Sequence, residues 1–441
     1  MSKTTQGASL DARGEYLGFR PTAGWQPERV AACTVSAREF FDKYVATRTP
    51  VILVGGPDDA DFKYDVLRDM NALKKAAADA VVEVEKRGSQ KHDFGGGDST
   101  KIKMKFGDLL DALQGQNDSK DASLLYMTTQ SIDVDEEGLL ELPFASPVSE
   151  LWLDETTTFP LVPRILGNLV PWQYNLWMGA SSGSSSGLHH DYHDNLYVLL
   201  RGRKQFRCFA PCDHTHMCLA APSPATLYAN GVLAHSKHML ADGSYDLSVA
   251  EWRLRQQQQD PQQITEAENE DGIEAALEAM LDAAGSDIED DCSSSNNDTD
   301  DEHSDSQIGY DPVKGEEVDL PPNFSLLNLR QMSTEEVAQR SPHLRTQTTE
   351  IVFSLEPGDM LYLPASWFHD VTSSDQNDNT RGHAALNYWM YPPTTREFDK
   401  PYACDYWPSK WRRTERDLLA WRHNVRQQTR VRESKRETEL S

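Results

Sequence analysis

Short apolar runs separated by turn-forming residues dominate the stretch from Ala122 to Leu254: Leu124 to Thr128, Tyr174 to Met178, Asn195 to Leu200 and Gln205 to Phe209. Runs of this length predict the strands of an all-β sandwich or barrel, because an extended chain crosses a core in few residues. The pattern returns at Thr349 to Leu355, Met360 to Leu363 and Ala384 to Met390. A single β-domain, interrupted and then resumed, is therefore expected. Ahead of it, residues 1–120 mix loops with helical stretches at Ser36 to Tyr44 and Tyr64 to Ala77, and read as a helical or mixed region packing on the barrel. Within them Thr49-Pro-Val-Ile-Leu-Val-Gly-Gly predicts a short buried strand closed by glycines. After the β-domain, residues 121–395, an extension over 396–441 follows Pro392-Pro393. There Trp411 to Arg436 predicts a basic amphipathic helix with Leu418, Trp421 and Val425 on one face.

The interruption has a composition of its own. Between Gln256 and Leu320 stand 21 Asp and Glu against one basic residue, Lys314. A glutamine run opens it, and Ser293-Ser-Ser-Asn-Asn-Asp-Thr-Asp-Asp-Glu follows, a segment too poor in apolar residues to offset the entropy of ordering. A disordered acidic insertion is expected over 256–320, with a helix or a solvated loop around Ile273 to Leu281, where apolar residues fall at helical spacing. The segment also reinterprets the charge of the 441-residue chain: it supplies −20 of the net −27, leaving about −7 elsewhere. That balance argues against nucleic acid as the direct substrate. Six irregularly spaced cysteines exclude a disulfide framework. No apolar run of membrane-spanning length occurs, and the first residues lack the apolar core of a secretion signal. A cytoplasmic or nuclear protein is expected.

Candidate chemistry is concentrated in Ser184-Ser-Ser-Gly-Leu-His-His-Asp-Tyr-His-Asp-Asn. Residues two apart in a strand point the same way, so His189 and Asp191 present an imidazole and a carboxylate to one side, and His190 points away. One more ligand from a facing strand completes a two-histidine, one-carboxylate set, which leaves positions open and suits iron(II). His-x-Asp alone also fits a polar strand end. A second block, Glu356-Pro-Gly-Asp-Met-Leu-Tyr-Leu-Pro-Ala-Ser-Trp-Phe-His369, carries a turn, an apolar strand and a proline up to another histidine.

Together the two blocks resemble the JmjC branch of the cupin superfamily, in particular its small protein hydroxylases. Those enzymes carry His-x-Asp, an Asn six residues after the first His, and Gly-x-Lys ending fifteen after it. Asn195 and Lys204 stand at those offsets. They also carry Leu-x-Leu-Pro-x-x-x-x-His, matched by Leu361 to His369. The resemblance spans roughly Leu124 to Pro393 with the insertion removed. It implies a mainly β fold, a double-stranded β-helix (jelly-roll or cupin) core with flanking helices. It implies iron(II) held by His189, Asp191 and His369, with 2-oxoglutarate and O2 as cosubstrates. Lys204 then meets the distal carboxylate of 2-oxoglutarate, an anion that compensates an ammonium placed in a mostly apolar barrel. Ser186 stands where the family often has a Thr contacting the same carboxylate, and Tyr126 matches an upstream tyrosine. The other readings are plain loop for Ser186 and core packing for Tyr126. Asn195 and Asn387 match polar residues near the cosubstrate, or else satisfy backbone groups.

The implied activity is hydroxylation of a protein side chain, with release of succinate and CO2. Demethylation of N-methyl-lysine, as on histones, uses the same chemistry, and a non-catalytic scaffold recruiting partners through the acidic insertion is the reading from another class. The expected partner is a protein or peptide substrate, with a homodimer through the C-terminal helix as a further option. Three decoys are set aside. His190 and His193 invite a zinc reading that has no use for Lys204. Cys208, Cys212, His214, His216 and Cys218 lack paired Cys-x-x-Cys knuckles. Gly183 with its serines and the Gly95 run lack the Gly-Lys-Ser/Thr of a phosphate loop.

Overall fold

The apolar runs fold as strands. A computed structural model describes residues 10–88, 99–115, 124–135, 138, 140–180, 185–221, 225–259, 309–311, 315–318, 320–374 and 382–440. In chain order the strands are β1 (Glu28–Ala31), β2 (Val51–Val54), β3 (Val81–Arg87), β4 (Ser99–Lys105), β5 (Leu125–Thr128) and the hairpin β6 (Asp133–Val134) and β7 (Glu141–Leu142). Next come β8 (Pro171–Gly179), β9 (Asp194–Arg201), β10 (Arg203–Phe209), and the hairpins β11 (Thr226–Leu227) with β12 (Leu233–Ala234) and β13 (Gly309–Asp311) with β14 (Glu316–Val318). Finally come β15 (Ile351–Leu355), β16 (Asp359–Leu363), β17 (Phe368–Ser374) and β18 (His383–Met390).

Nine strands form one sheet in the order β1-β2-β16-β9-β18-β8-β5-β3-β4, and a smaller sheet has the order β15-β10-β17. Single bridges Ser185↔Thr372, His189↔His369 and His189↔Phe324 extend the small sheet beyond β17. In the large sheet Leu196, Val198, Leu200, Leu386 and Tyr388 pack in one cluster with the helices Met70–Ala77, Phe106–Gln114 and Val148–Leu153. The alternate residues Tyr197, Leu199 and Ala385 pack in a second cluster with Phe206, Ile351 and Phe353 of the small sheet. Both faces are covered, so β9 and β18 read as continuous apolar runs rather than alternating ones. The second cluster is the interior of a cupin barrel, as the resemblance implied.

A buried ion pair fixes the start of β9. Arg48 grips Asp194 with Nη1–Oδ2 at 2.7 Å and Nη2–Oδ1 at 2.5 Å, both side chains being wholly enclosed. Tyr362 of β16 donates to Asp194 at 2.6 Å and the Ala365 amide donates at 2.9 Å. Every carboxylate oxygen is thus paired, the condition under which a buried charge is tolerated.

Three boundaries differ from the sequence reading. Residues 1–120 do not merely pack on the barrel: β1 to β4 belong to the large sheet. β3 and β4 escaped notice because one side of this edge hairpin faces water, so Glu83, Glu85, Lys101, Lys103 and Lys105 dilute the apolar signal. The ends of the acidic segment are folded. Helix Asp246–Gln259 carries the chain through the glutamine run, and Asp311 is buried in β13 with its carboxylate 3.2 Å from Arg340. The stretches Ile273 to Leu281 and Ser293 to Glu302 lie outside the described residues, as do Gly95 and Gly183. The C-terminal helix runs from Tyr406 to Leu440, longer than expected. Leu418 is fully buried in the main cluster, Trp421 stacks on Trp152 at 6.3 Å, and the Arg426 Nε donates to the Leu153 carbonyl at 2.6 Å. No helix among the described residues is long and apolar enough to cross a membrane.

Candidate metal centre

Backbone pairing brings the two sequence blocks together. The His189 amide donates to the His369 carbonyl at 3.1 Å and the His369 amide returns the bond at 2.7 Å. These two residues sit directly opposite on neighbouring strands, so their side chains leave the same face, with ring centroids 4.3 Å apart. Two residues on, the Asp191 carbonyl accepts from the Ser366 amide at 2.7 Å. Its carboxylate lies 3.9 Å from His189 Nε2 and 3.7 Å from His369 Nε2. One ligand atom from each of the three falls within 4.8 Å of the others. Among the described residues no other group of three His, Cys, Asp or Glu side chains converges in this way.

The imidazoles are oriented for coordination. His189 Nδ1 lies 3.0 Å from the Gly187 carbonyl and His369 Nδ1 lies 2.9 Å from the Trp367 carbonyl. A carbonyl only accepts, so each Nδ1 carries the proton and each Nε2 is left with a lone pair facing Asp191. Burial, with the neighbouring His369, pushes the His189 imidazole down to about 4, which keeps it neutral. Phe324, whose segment bridges to His189, stacks on that ring at 4.7 Å.

A cavity opens beside the triad, with Tyr126, Trp177, Ser186, Asn195, Tyr197, Lys204, Phe206, Val371 and Ser373 in its wall. Lys204 is the one cation among them. Its side chain is 2% exposed, and its Nζ donates to Ser373 Oγ at 2.7 Å. No carboxylate pairs with it among the described residues, and burial pushes it down to about 7. Such an ammonium calls for an anion from outside the chain. The donor set therefore fits both groups that the resemblance implied: a metal at two imidazoles and a carboxylate, and a carboxylate ligand at Lys204.

The other expected residues divide. Asn195 and Tyr126 line the cavity; Asn387 stands behind, accepting from Trp177 Nε1 at 2.8 Å and donating to Asn195 Oδ1 at 3.1 Å. This hydrogen-bond chain holds the Asn195 Oδ1 on Asn387. Ser186 lines the cavity too, but its hydroxyl donates to the Gly187 carbonyl at 3.1 Å and accepts from the Val371 amide at 3.1 Å, which ties it to the strand pairing. Sequence reasoning missed Ser373, Trp177, Tyr197 and Phe324. Ser373 carried no local signal, since it meets Lys204 only through the β10–β17 register. Of the decoys, His190 points away from the triad, with its Nε2 3.4 Å from His235. Cys208 is buried in the barrel, and Cys218 donates to the Arg340 carbonyl at 3.2 Å.

Comparison with known proteins agrees with this geometry. A family model described as a cupin-like domain matches residues 37–396. The chain belongs to the cupin-like JmjC family. The JmjC domain-containing protein 4 of Schizosaccharomyces pombe (strain 972 / ATCC 24843) is 30% identical to it, over 88% of this chain and 89% of that protein. The family match thus begins at the helical turn Ala37–Phe40 and takes in β2 to β18, leaving β1 ahead of it.

Proposed function

We propose that this protein is an iron(II)- and 2-oxoglutarate-dependent oxygenase that hydroxylates a protein side chain. The observation that carries the reading is the pairing of His189 with His369 across two distant segments, with Asp191 within 4 Å of both rings and the unneutralised Lys204 in the same cavity. Family membership supports the oxygenase chemistry.

The residues have distinct tasks. His189, Asp191 and His369 would hold the iron, the two Nδ1–carbonyl hydrogen bonds fixing the rings so that little reorganisation accompanies binding. Lys204, steadied by Ser373, would neutralise the distal carboxylate of the cosubstrate, with Tyr126 beside it. Asn195, held by Asn387, would orient polar groups near the metal. Tyr197, Phe206 and Val371 keep the cavity apolar, which excludes water and strengthens each charge interaction inside. Iron with 2-oxoglutarate and O2 supplies the oxidising chemistry that places oxygen on a C–H bond, leaving succinate and CO2.

Purified protein given iron(II), 2-oxoglutarate and O2 is expected to form succinate, and to form none when Asp191→Ala removes the carboxylate. No succinate from the wild type refutes the oxygenase reading, and equal succinate from both proteins removes Asp191 from the site. Stoichiometric formaldehyde in the presence of a methylated peptide would replace the hydroxylase with a demethylase.

A further inference from the structure

His383 is a buried imidazole that the mechanism above leaves unused. It is wholly enclosed at the start of β18, and neither Nδ1 nor Nε2 has a hydrogen-bond partner among the described residues. Buried polar atoms left without a partner are destabilising, so a ring retained for packing alone would be better served by a hydrocarbon. Its location is specific. The ring lies 5.8 Å from that of Tyr126, and Lys204 is the charged group whose field acts on it. Tyr126 and Lys204 both line the cavity, at the end where β5, β8, β10 and β18 meet.

Two glycines make the room. A Cβ on Gly179 would stand 3.0 Å from His383 Nε2 and 2.8 Å from Tyr126 Cδ2. A Cβ on Gly202, at φ +78°, would stand 2.7 Å from the His383 Cβ. The imidazole is therefore seated against bare backbone, with Nε2 beside the wall of the anion pocket. Burial and the Lys204 ammonium hold it well below the usual histidine range, so it is neutral and offers one N–H.

We propose that His383 is a member of the dicarboxylate pocket, donating its ring N–H to the distal carboxylate directly or across one water, as the third donor beside Lys204 and Tyr126. The inference rests on the oxygenase reading. It accounts for both the orphaned ring and the two glycines.

The test uses Zn(II)-loaded full-length protein, which binds cosubstrate without turnover. On adding 2-oxoglutarate, the ring 1H and 15N resonances of His383, assigned by their loss in His383→Leu, are expected to shift. In calorimetry His383→Leu is expected to weaken 2-oxoglutarate binding about tenfold, with His383→Gln, which keeps a donor, falling between. Without ligand, His383→Leu should be at least as heat-stable as wild type, because it removes two orphan atoms; a purely structural histidine would instead lose stability and leave affinity alone. Unmoved resonances together with unchanged affinity in a folded His383→Leu protein would overturn the inference while leaving the oxygenase reading intact. Failure of wild-type protein to bind 2-oxoglutarate at all would overturn both.

Discussion

Lys204 shows how a single residue exposes the purpose of its surroundings. Its ammonium is enclosed with one hydroxyl for company, and burial pushes it down to about 7 from an ordinary 10.5. Between those two values the unfolded chain binds more protons than the folded one, so this residue makes stability rise as pH climbs from about 7 towards 10.5. Below about 7 the full cost of burying the charge is present. Lys204→Met is accordingly expected to be more stable than wild type at pH 6 without ligand and to lose this part of the pH slope, as measured by denaturant unfolding at pH 6 and pH 9. The same variant should bind 2-oxoglutarate at least tenfold more weakly, a loss of about 1.4 kcal/mol. An unaltered pH slope and affinity would mean that the charge is satisfied elsewhere. Lys204 was legible from its offset to His189, and so were His189, Asp191 and His369. Ser373 and His383 were not, because their significance comes from cross-strand neighbours, and no local pattern in the sequence encodes a register.

At the scale of elements, the strands buried on both faces stood out most clearly, and the edge hairpin β3–β4, with one side in water, was missed. β8, β9, β16 and β18 are buried along nearly their whole length, whereas β3 and β4 alternate with lysines and glutamates. β17 was hidden for another reason: after His369 its sequence turns to Asp370, Thr372, Ser373 and Ser374, polar residues of which Ser373 lines the cavity. Beside the triad, the Arg48–Asp194–Tyr362 cluster ties the turn before β2 to the start of β9 and to β16. Removing one member leaves the other charge buried and alone. Asp194→Ala is expected to cost about 3–5 kcal/mol in equilibrium unfolding. A loss below about 1 kcal/mol would show that the pair contributes little to holding β9 in place.

For the whole molecule, the sequence reading captured one barrel split by an acidic segment, and misjudged how much flanking chain is part of it. The N-terminal strands complete the large sheet, and the C-terminal helix is anchored by Leu418 and Trp421 on the helix Val148–Leu153. The site is assembled from residues on either side of the acidic segment, so its assembly depends on the barrel rather than on the segment's composition. Replacing residues 260–308 by about 20 Gly/Ser residues, which reach about 25 Å on average, is expected to leave metal content and melting temperature close to wild type. Collapse of both would assign the segment a role in folding. The central claim is that His369 reaches back to His189 and Asp191 to hold a single ion. Iron content after anaerobic loading, measured per chain for wild type, His189→Ala and His369→Ala, tests it most directly. The account predicts one iron per wild-type chain and a loss of at least tenfold in affinity in each variant, whereas tight, stoichiometric iron in His369→Ala would contradict it.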